Sequence, residues 1–117
     1  MKHIAVVEDE ALMREELADM LRRADYAVTE ITDFADVTGQ LLALAPDLVL
    51  LDVMMPGEDG FAVCRRIRSL TEVPILFLSA RTDEAAVLEG LGIGADDFLS
   101  KPFRVAELRA RVAAHLR

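Results

Sequence analysis

The sequence predicts a doubly wound α/β domain, and three observations carry that expectation. Short apolar runs bounded by turn residues recur five times, segments of helical periodicity separate them, and the two kinds alternate along all 117 residues. Each strand–helix unit then takes about 23 residues, enough for one strand, about three helical turns and two short loops. The first run, 4–7, precedes a stripe at Met13, Leu17, Met20, Leu21 and Ala24. The second, 27–31, precedes Val37, Leu41 and Leu44. The third, 48–51, precedes Phe61, Cys64 and Ile67, with Asp59-Gly60 as a helix cap. The fourth, 75–78, precedes Ala85, Leu88 and Leu91, with Thr82-Asp83 as the cap and Gly90, Gly92 and Gly94 expected to follow that helix. The fifth, 98–99, precedes Val105, Leu108, Val112 and Leu116. Pro46, Pro74 and Pro102 fall at element edges, where a missing N–H costs least.

Composition bounds what such a domain does. A chain of this length forms one domain, 1–117, and buries enough apolar surface to need no metal or disulfide staple. Its single cysteine, Cys64, permits no intrachain disulfide and fits a reducing compartment. The apolar run 4–7 before Glu8-Asp9-Glu10 is far too short for a signal peptide or a membrane span, so a cytoplasmic protein is expected. Residues 1–60 carry 4 basic and 14 acidic side chains, a net −10, whereas residues 61–117 carry 9 and 7, a net +2. An acidic half of that kind repels phosphate backbones, which argues against direct nucleic-acid binding by this domain.

In an open parallel sheet the functional crevice lies beyond the carboxyl ends of the strands. Those ends here are Glu8-Asp9, Asp52, Ser79 and the segment before Lys101-Pro102. Three carboxylates, a hydroxyl and an ammonium should therefore meet at one edge. Any one of them alone is an ordinary loop or helix-start residue. Together they are costly, since two unit charges about 4 Å apart repel by roughly 4 kcal/mol at an effective dielectric near 20. Lys101 supplies one compensating charge and a divalent cation the second. An all-oxygen donor set suits Mg²⁺, with Mn²⁺ able to replace it, better than zinc, because His3 and His115 read as surface or core filler. A carboxylate beside a metal, a lysine and a hydroxyl is equipped for phosphoryl transfer with Asp52 as nucleophile.

Four motifs then align with a known pattern: Val7-Glu8-Asp9-Glu10, the stretch Leu51-Asp52-Val53-Met54-Met55-Pro56-Gly57 through Gly60, the run from Pro74 through Ser79 to Arg81, and the run from Gly94 through Asp96, Asp97 and Phe98 to Lys101-Pro102-Phe103. Through them the whole chain resembles the receiver domain of bacterial two-component response regulators. The resemblance implies a CheY-like, flavodoxin-like (βα)5 fold with strand order 2-1-3-4-5. It also implies that Asp52 accepts a phosphoryl group from a sensor histidine kinase, with Mg²⁺ held by Glu8, Asp9, Asp52 and the backbone carbonyl of Met54. By the same resemblance Lys101 binds the phosphoryl group, Ser79 hydrogen-bonds it, Phe98 is the aromatic switch, and Lys101-Pro102 is a cis peptide. Such a chain modifies itself and is not an enzyme with turnover.

The last third is closest to the OmpR/PhoB branch, which implies a phosphorylation-dependent homodimer through the fourth helix, fifth strand and fifth helix. Asp96, Asp97, Glu107 and Arg111 are the matching dimer-face candidates, although Glu107 and Arg111 also form an ordinary i,i+4 pair. Glu89 departs from the branch, where Arg or Lys is frequent, and facing Glu107 it would repel. The chain is expected to be either a stand-alone receiver or, as the branch resemblance implies, the regulatory half of a longer protein whose output domain is a winged-helix DNA binder, with transcription as the readout. Met54 and Arg81 flank the site and could tune water access. Other readings fit less well. A phosphohydrolase of the haloacid-dehalogenase type needs an acid two residues after its nucleophile, and Met54 stands there. The glycines at 90, 92 and 94 precede a strand, whereas a dinucleotide loop leads from strand to helix. A receiver-like scaffold that is never phosphorylated would be expected to lose part of the acidic and basic set, yet all of it is present.

Overall fold

The computed structural model describes residues 1–80 and 84–117. Its elements are β1 His3–Val7, α1 Ala11–Arg23, β2 Ala27–Ile31, α2 Val37–Leu44, β3 Leu48–Asp52, α3 Gly60–Arg68, β4 Ile75–Ser79, α4 Glu84–Ile93, β5 Asp97–Ser100 and α5 Val105–His115. All strand pairs are parallel, in the order β2-β1-β3-β4-β5. The doubly wound architecture and the 2-1-3-4-5 order are thus as expected.

Period-two alternation divides the core. Ala5, Val7, Val49, Leu51, Ile75 and Phe77 face α2 and α3 on one side, where Leu41, Phe61, Cys64 and Ile67 cover them. Ile4, Val6, Leu48, Leu50, Leu76, Leu78 and Leu99 face α1 and α5, covered by Leu17, Leu21, Leu108 and Val112. Both faces of the central strands β1, β3 and β4 are therefore dry, which is why those strands read as continuous apolar runs. Asp59 caps α3 as foreseen, its carboxylate accepting from the Ala62 N–H at 2.8 Å. Asp36 caps α2 in the same way, accepting from Gly39 N–H at 2.9 Å. The Thr82-Asp83 cap lies outside the described residues.

The fourth helix departs from expectation. Gly90 and Gly92 lie inside α4, and only Gly94 follows it, at φ +117°. The stripe Ala85, Leu88, Leu91 faces outward, with Leu88 61% exposed, while Ala86 and Gly90 are buried. The reason is space. A Cβ on Gly90 would stand 3.0 Å from the Phe98 ring and 3.2 Å from Phe77, so only small residues let the helix seat here.

Gly60 sets a second close approach. A Cβ there would lie 2.2 Å from the Asp52 carbonyl oxygen and 2.9 Å from Val53 Cα, both backbone atoms that cannot swing aside. Its N–H also donates to the Val53 carbonyl at 2.8 Å, so the start of α3 is riveted to the end of β3. Gly60→Ala is expected to cost about 1–3 kcal/mol by overpacking. Urea unfolding should show a lower midpoint at unchanged slope, and an unaltered midpoint would contradict this contact.

Candidate functional site

The sheet register builds the site. Val7 pairs with Leu51, so Glu8 emerges level with Asp52; Asp52 pairs with Leu78, which brings Ser79 one step beyond; Ser79 pairs with Ser100, which delivers Lys101. Four strand ends therefore discharge their polar residues at one edge. The Lys101 N–H also donates to the Ser79 carbonyl at 2.8 Å, and the Lys101–Pro102 peptide is cis, as the resemblance implied.

The side chains converge. Carboxylate oxygens of Glu8, Asp9 and Asp52 all lie within 4.8 Å of one another. Lys101 Nζ donates to Glu8 Oε2 at 2.6 Å and stands 3.3 Å from Asp52 Oδ2. Asp52 Oδ1 accepts from the Met54 N–H at 3.2 Å, and Glu8 Oε1 accepts from the Glu10 N–H at 3.2 Å. Glu8, Asp52 and Ser79 are buried polar residues, whereas Asp9 is exposed. Met54 is 61% exposed beside the site, and Arg81 lies outside the described residues.

Burial pushes the Asp52 carboxyl up to about 6, and the Glu8 charge adds to the rise, against the pull of Lys101 and the Met54 N–H. Burial works against the Lys101 ammonium too, yet its bond to Glu8 and the Asp52 charge raise its pKa, so it stays charged. Three carboxylates against one ammonium leave an excess of negative charge at a hard-oxygen site. A divalent, oxygen-seeking cation fits that donor set, with Glu8, Asp9 and Asp52 as its side-chain ligands.

Phe98 is half-buried, its ring 5.8 Å from that of Phe77, which in turn meets Phe61 edge-on at 5.2 Å. The dimer-face candidates are all engaged within the chain. Asp96 Oδ2 accepts from Arg68 Nη2 at 3.1 Å and from the Ile75 N–H at 2.9 Å. Asp97 accepts from Arg111 Nη1 at 2.9 Å and lies 3.2 Å from His115 Nε2, while Arg111 also reaches Glu107 at 3.4 Å. Burial pushes Asp97 up, but Arg111, the Phe98 N–H and His115 prevail and hold it low. Glu89 pairs with Arg65 on α3 at 3.5 Å, so within one chain it has a cationic partner. Sequence reasoning missed Arg68, which also donates to the carbonyls of Gly94 at 2.9 Å and Val73 at 2.8 Å. It gave no role to Arg14 either, whose Nη1 donates to the Glu8 carbonyl at 3.1 Å. Neither residue stands in a motif, and only the tertiary fold brings them to their partners.

Residues 4–113 match the model of the response regulator receiver domain. The chain is 46% identical over 115 residues to the transcriptional regulatory protein CseB of Streptomyces coelicolor, covering 98% of this chain and 49% of that protein. It is 46% identical over 117 residues to the transcriptional regulatory protein SpaR of Bacillus subtilis, covering 100% of this chain and 53% of SpaR. The chain thus spans about half the length of the curated relatives it matches. Among solved structures, the BeF3-activated N-terminal receiver domain of Klebsiella pneumoniae RstA superposes with a TM-score of 0.93 at 33% identity, covering 98% of each chain. The N-terminal domain of the nisin resistance regulator NsrR superposes at 0.90 with 38% identity, over 100% of this chain and 99% of that one. Among the described residues no helix is long and apolar enough to cross a membrane.

The raised Asp52 has a measurable consequence. Because its folded value, about 6, exceeds the ordinary 3.8, the folded chain holds an extra proton between those values, and stability from this group falls as pH rises through that window. Asp52→Asn, in chelator at pH 8, should therefore raise Tm by roughly 3–8 °C. The gain should shrink toward pH 4 in scanning calorimetry; a lower Tm for the variant at pH 8 would count against the balance of charges described.

Proposed function

The chain belongs to the response regulator receiver domain family, with OmpR/PhoB-family response regulators among its relatives, and from that premise we propose that it is a switch driven by phosphorylation of Asp52. The observation that carries the reading is the meeting of Glu8, Asp9, Asp52 and Lys101 at one sheet edge, with Ser79 at the end of the neighbouring strand. The Asp52 carboxylate attacks phosphorus, forming a P–O bond as the bond from phosphorus to the donor's imidazole nitrogen breaks, and the electron pair leaves with that nitrogen. Lys101 offsets charge on the moving group, and the Ser79 hydroxyl hydrogen-bonds the product. Glu8, Asp9, Asp52 and the Met54 carbonyl would hold Mg²⁺, which supplies charge neutralisation at the phosphoryl oxygens. The chain is its own substrate and turns over no free one, so it is not an enzyme in the ordinary sense.

The partner that donates is a sensor histidine kinase, and the regulated output is transcription in the cytoplasm, a reading supported by relatives named as transcriptional and DNA-binding regulators. DNA contact belongs to a winged-helix domain outside this one. Phosphorylation acts on the face of α4, β5 and α5, through Ser79 and the Phe98 ring. On that face α4 exposes Leu88 and Leu91, apolar side chains suited to a second copy of the chain. For such a homodimer Asp96, Asp97, Glu107 and Arg111 must trade their internal partners for external ones.

A small phosphodonor with Mg²⁺ is expected to add one phosphoryl mass, and Asp52→Asn to abolish the addition. Labelling that persists in Asp52→Asn, or that runs at full rate in excess chelator, would move the nucleophile or remove the metal from the reaction. Sedimentation with beryllofluoride and Mg²⁺ should show a dimer where the untreated chain is monomeric. A monomer under both conditions excludes the homodimer.

A further inference from the structure

Asp9 raises a geometric question: its carboxylate joins the acidic cluster, yet its side chain is exposed. Its placement must come from the backbone on either side. After it, Glu10 is held twice, its N–H donating to Glu8 Oε1 at 3.2 Å and its carbonyl accepting from the Arg14 N–H at 2.9 Å. Before it stands the Glu8–Asp9 peptide plane, whose carbonyl accepts from Arg14 Nη1 at 3.1 Å. The Arg14 side chain is only 14% exposed. Among the described residues its Nε is buried without a hydrogen-bond partner, 3.7 Å from Glu30 Oε1, too far to bond but close enough to balance the charge. Glu30 also meets Arg22 at 3.4 Å, so Arg14 lies in a chain of alternating charges along α1 and β2.

We propose that Arg14 is a positioning residue of the acidic site, fixing the Glu8–Asp9 peptide so that both carboxylates face Asp52. The inference rests on the reading of that cluster as a Mg²⁺ site. Arg14 touches none of the reacting groups and acts through the carbonyl it grips. Because Glu30 balances its charge, removing Arg14 acts mainly by freeing the peptide plane. Groups that orient metal ligands in this way commonly change affinity by about 10–100-fold when lost. A role confined to general stability would lower Tm and leave metal affinity alone.

The test is a Mg²⁺ titration followed by the rise in Tm, with a parallel titration of phosphodonor labelling that separates the half-saturating Mg²⁺ concentration from the maximal rate. Arg14→Met is expected to raise the Mg²⁺ midpoint about tenfold in both measurements. Arg14→Lys keeps a cation beside Glu30 but loses the planar fork, so its midpoint should still rise by about threefold. That variant carries the test if Arg14→Met does not fold. An unchanged midpoint in a variant whose wild type responds to Mg²⁺ overturns the role of Arg14 alone. A wild type blind to Mg²⁺ overturns the metal-site reading, and this inference with it.

Discussion

Repulsion among Glu8, Asp9 and Asp52 is the constraint to which the rest of this molecule answers. Their oxygens come within 4.8 Å of one another, where a pair of unit charges costs about 3 kcal/mol at an effective dielectric near 20. Glu8 and Asp9 are neighbours in the chain, but no local sequence feature brings Asp52 to them. The gathering is done by parallel strands whose registers end at the same edge, with a dry core on both faces too tightly filled to let a strand slip. Slipping β3 by one residue would turn Asp52 from the crevice into a core face, which the packing of Leu48, Leu50 and Leu51 forbids. Hydrophobic burial thus holds together charges that would otherwise part, and the unspent electrostatic cost is what makes the edge receptive to a cation.

The two edges of the sheet divide the labour. At the carboxyl edge the charge is unbalanced, with three carboxylates gathered about one ammonium. At the opposite edge Arg68 ties α3 to the Gly94 and Val73 carbonyls and to Asp96, which also accepts from the first amide of β4. There donors and acceptors match closely and the geometry is that of a clasp. Asp96, one of the dimer-face candidates, therefore has a structural duty that any external partner would have to compete with.

Much of this was legible in the amino-acid order. Strand positions, the capping Asp59 and the residues that end each strand follow from apolar runs and turn chemistry, because a sheet buried on both faces leaves only its ends for polar groups. The orientation of α4 was not legible. Periodicity marks Ala85, Leu88 and Leu91 as a stripe, and a stripe normally faces the core; here the facing strand residues, Phe77 and Phe98, are so large that only Ala86 and Gly90 fit against them. Volume complementarity between distant residues decided the face, and no window along the chain contains that information. Arg14 and Arg68 were invisible for a related reason, since each acts largely on backbone carbonyls that any residue could supply, and the one carboxylate Arg68 meets, Asp96, lies 28 residues away.

That seating of α4 bears on how a change at Asp52 could be felt elsewhere. Reversing a 1:99 equilibrium takes about 5.5 kcal/mol, so a responsive element must be held by no more than a few such contacts. Among the described residues α4 fully buries only Ala86 and Gly90, small side chains that contribute little apolar area, and adds Ile93 half-buried against the core at its end. Its pair with α3, Arg65 to Glu89, joins two largely exposed side chains, a kind of contact worth about 0–1 kcal/mol. The α5 helix, by contrast, sinks Leu108 and Val112 completely. Of the two helices flanking β5, α4 is therefore the more lightly held, and Phe98 lies directly beneath its glycine. A ring that shifts there meets the part of the fold with the least to lose by moving.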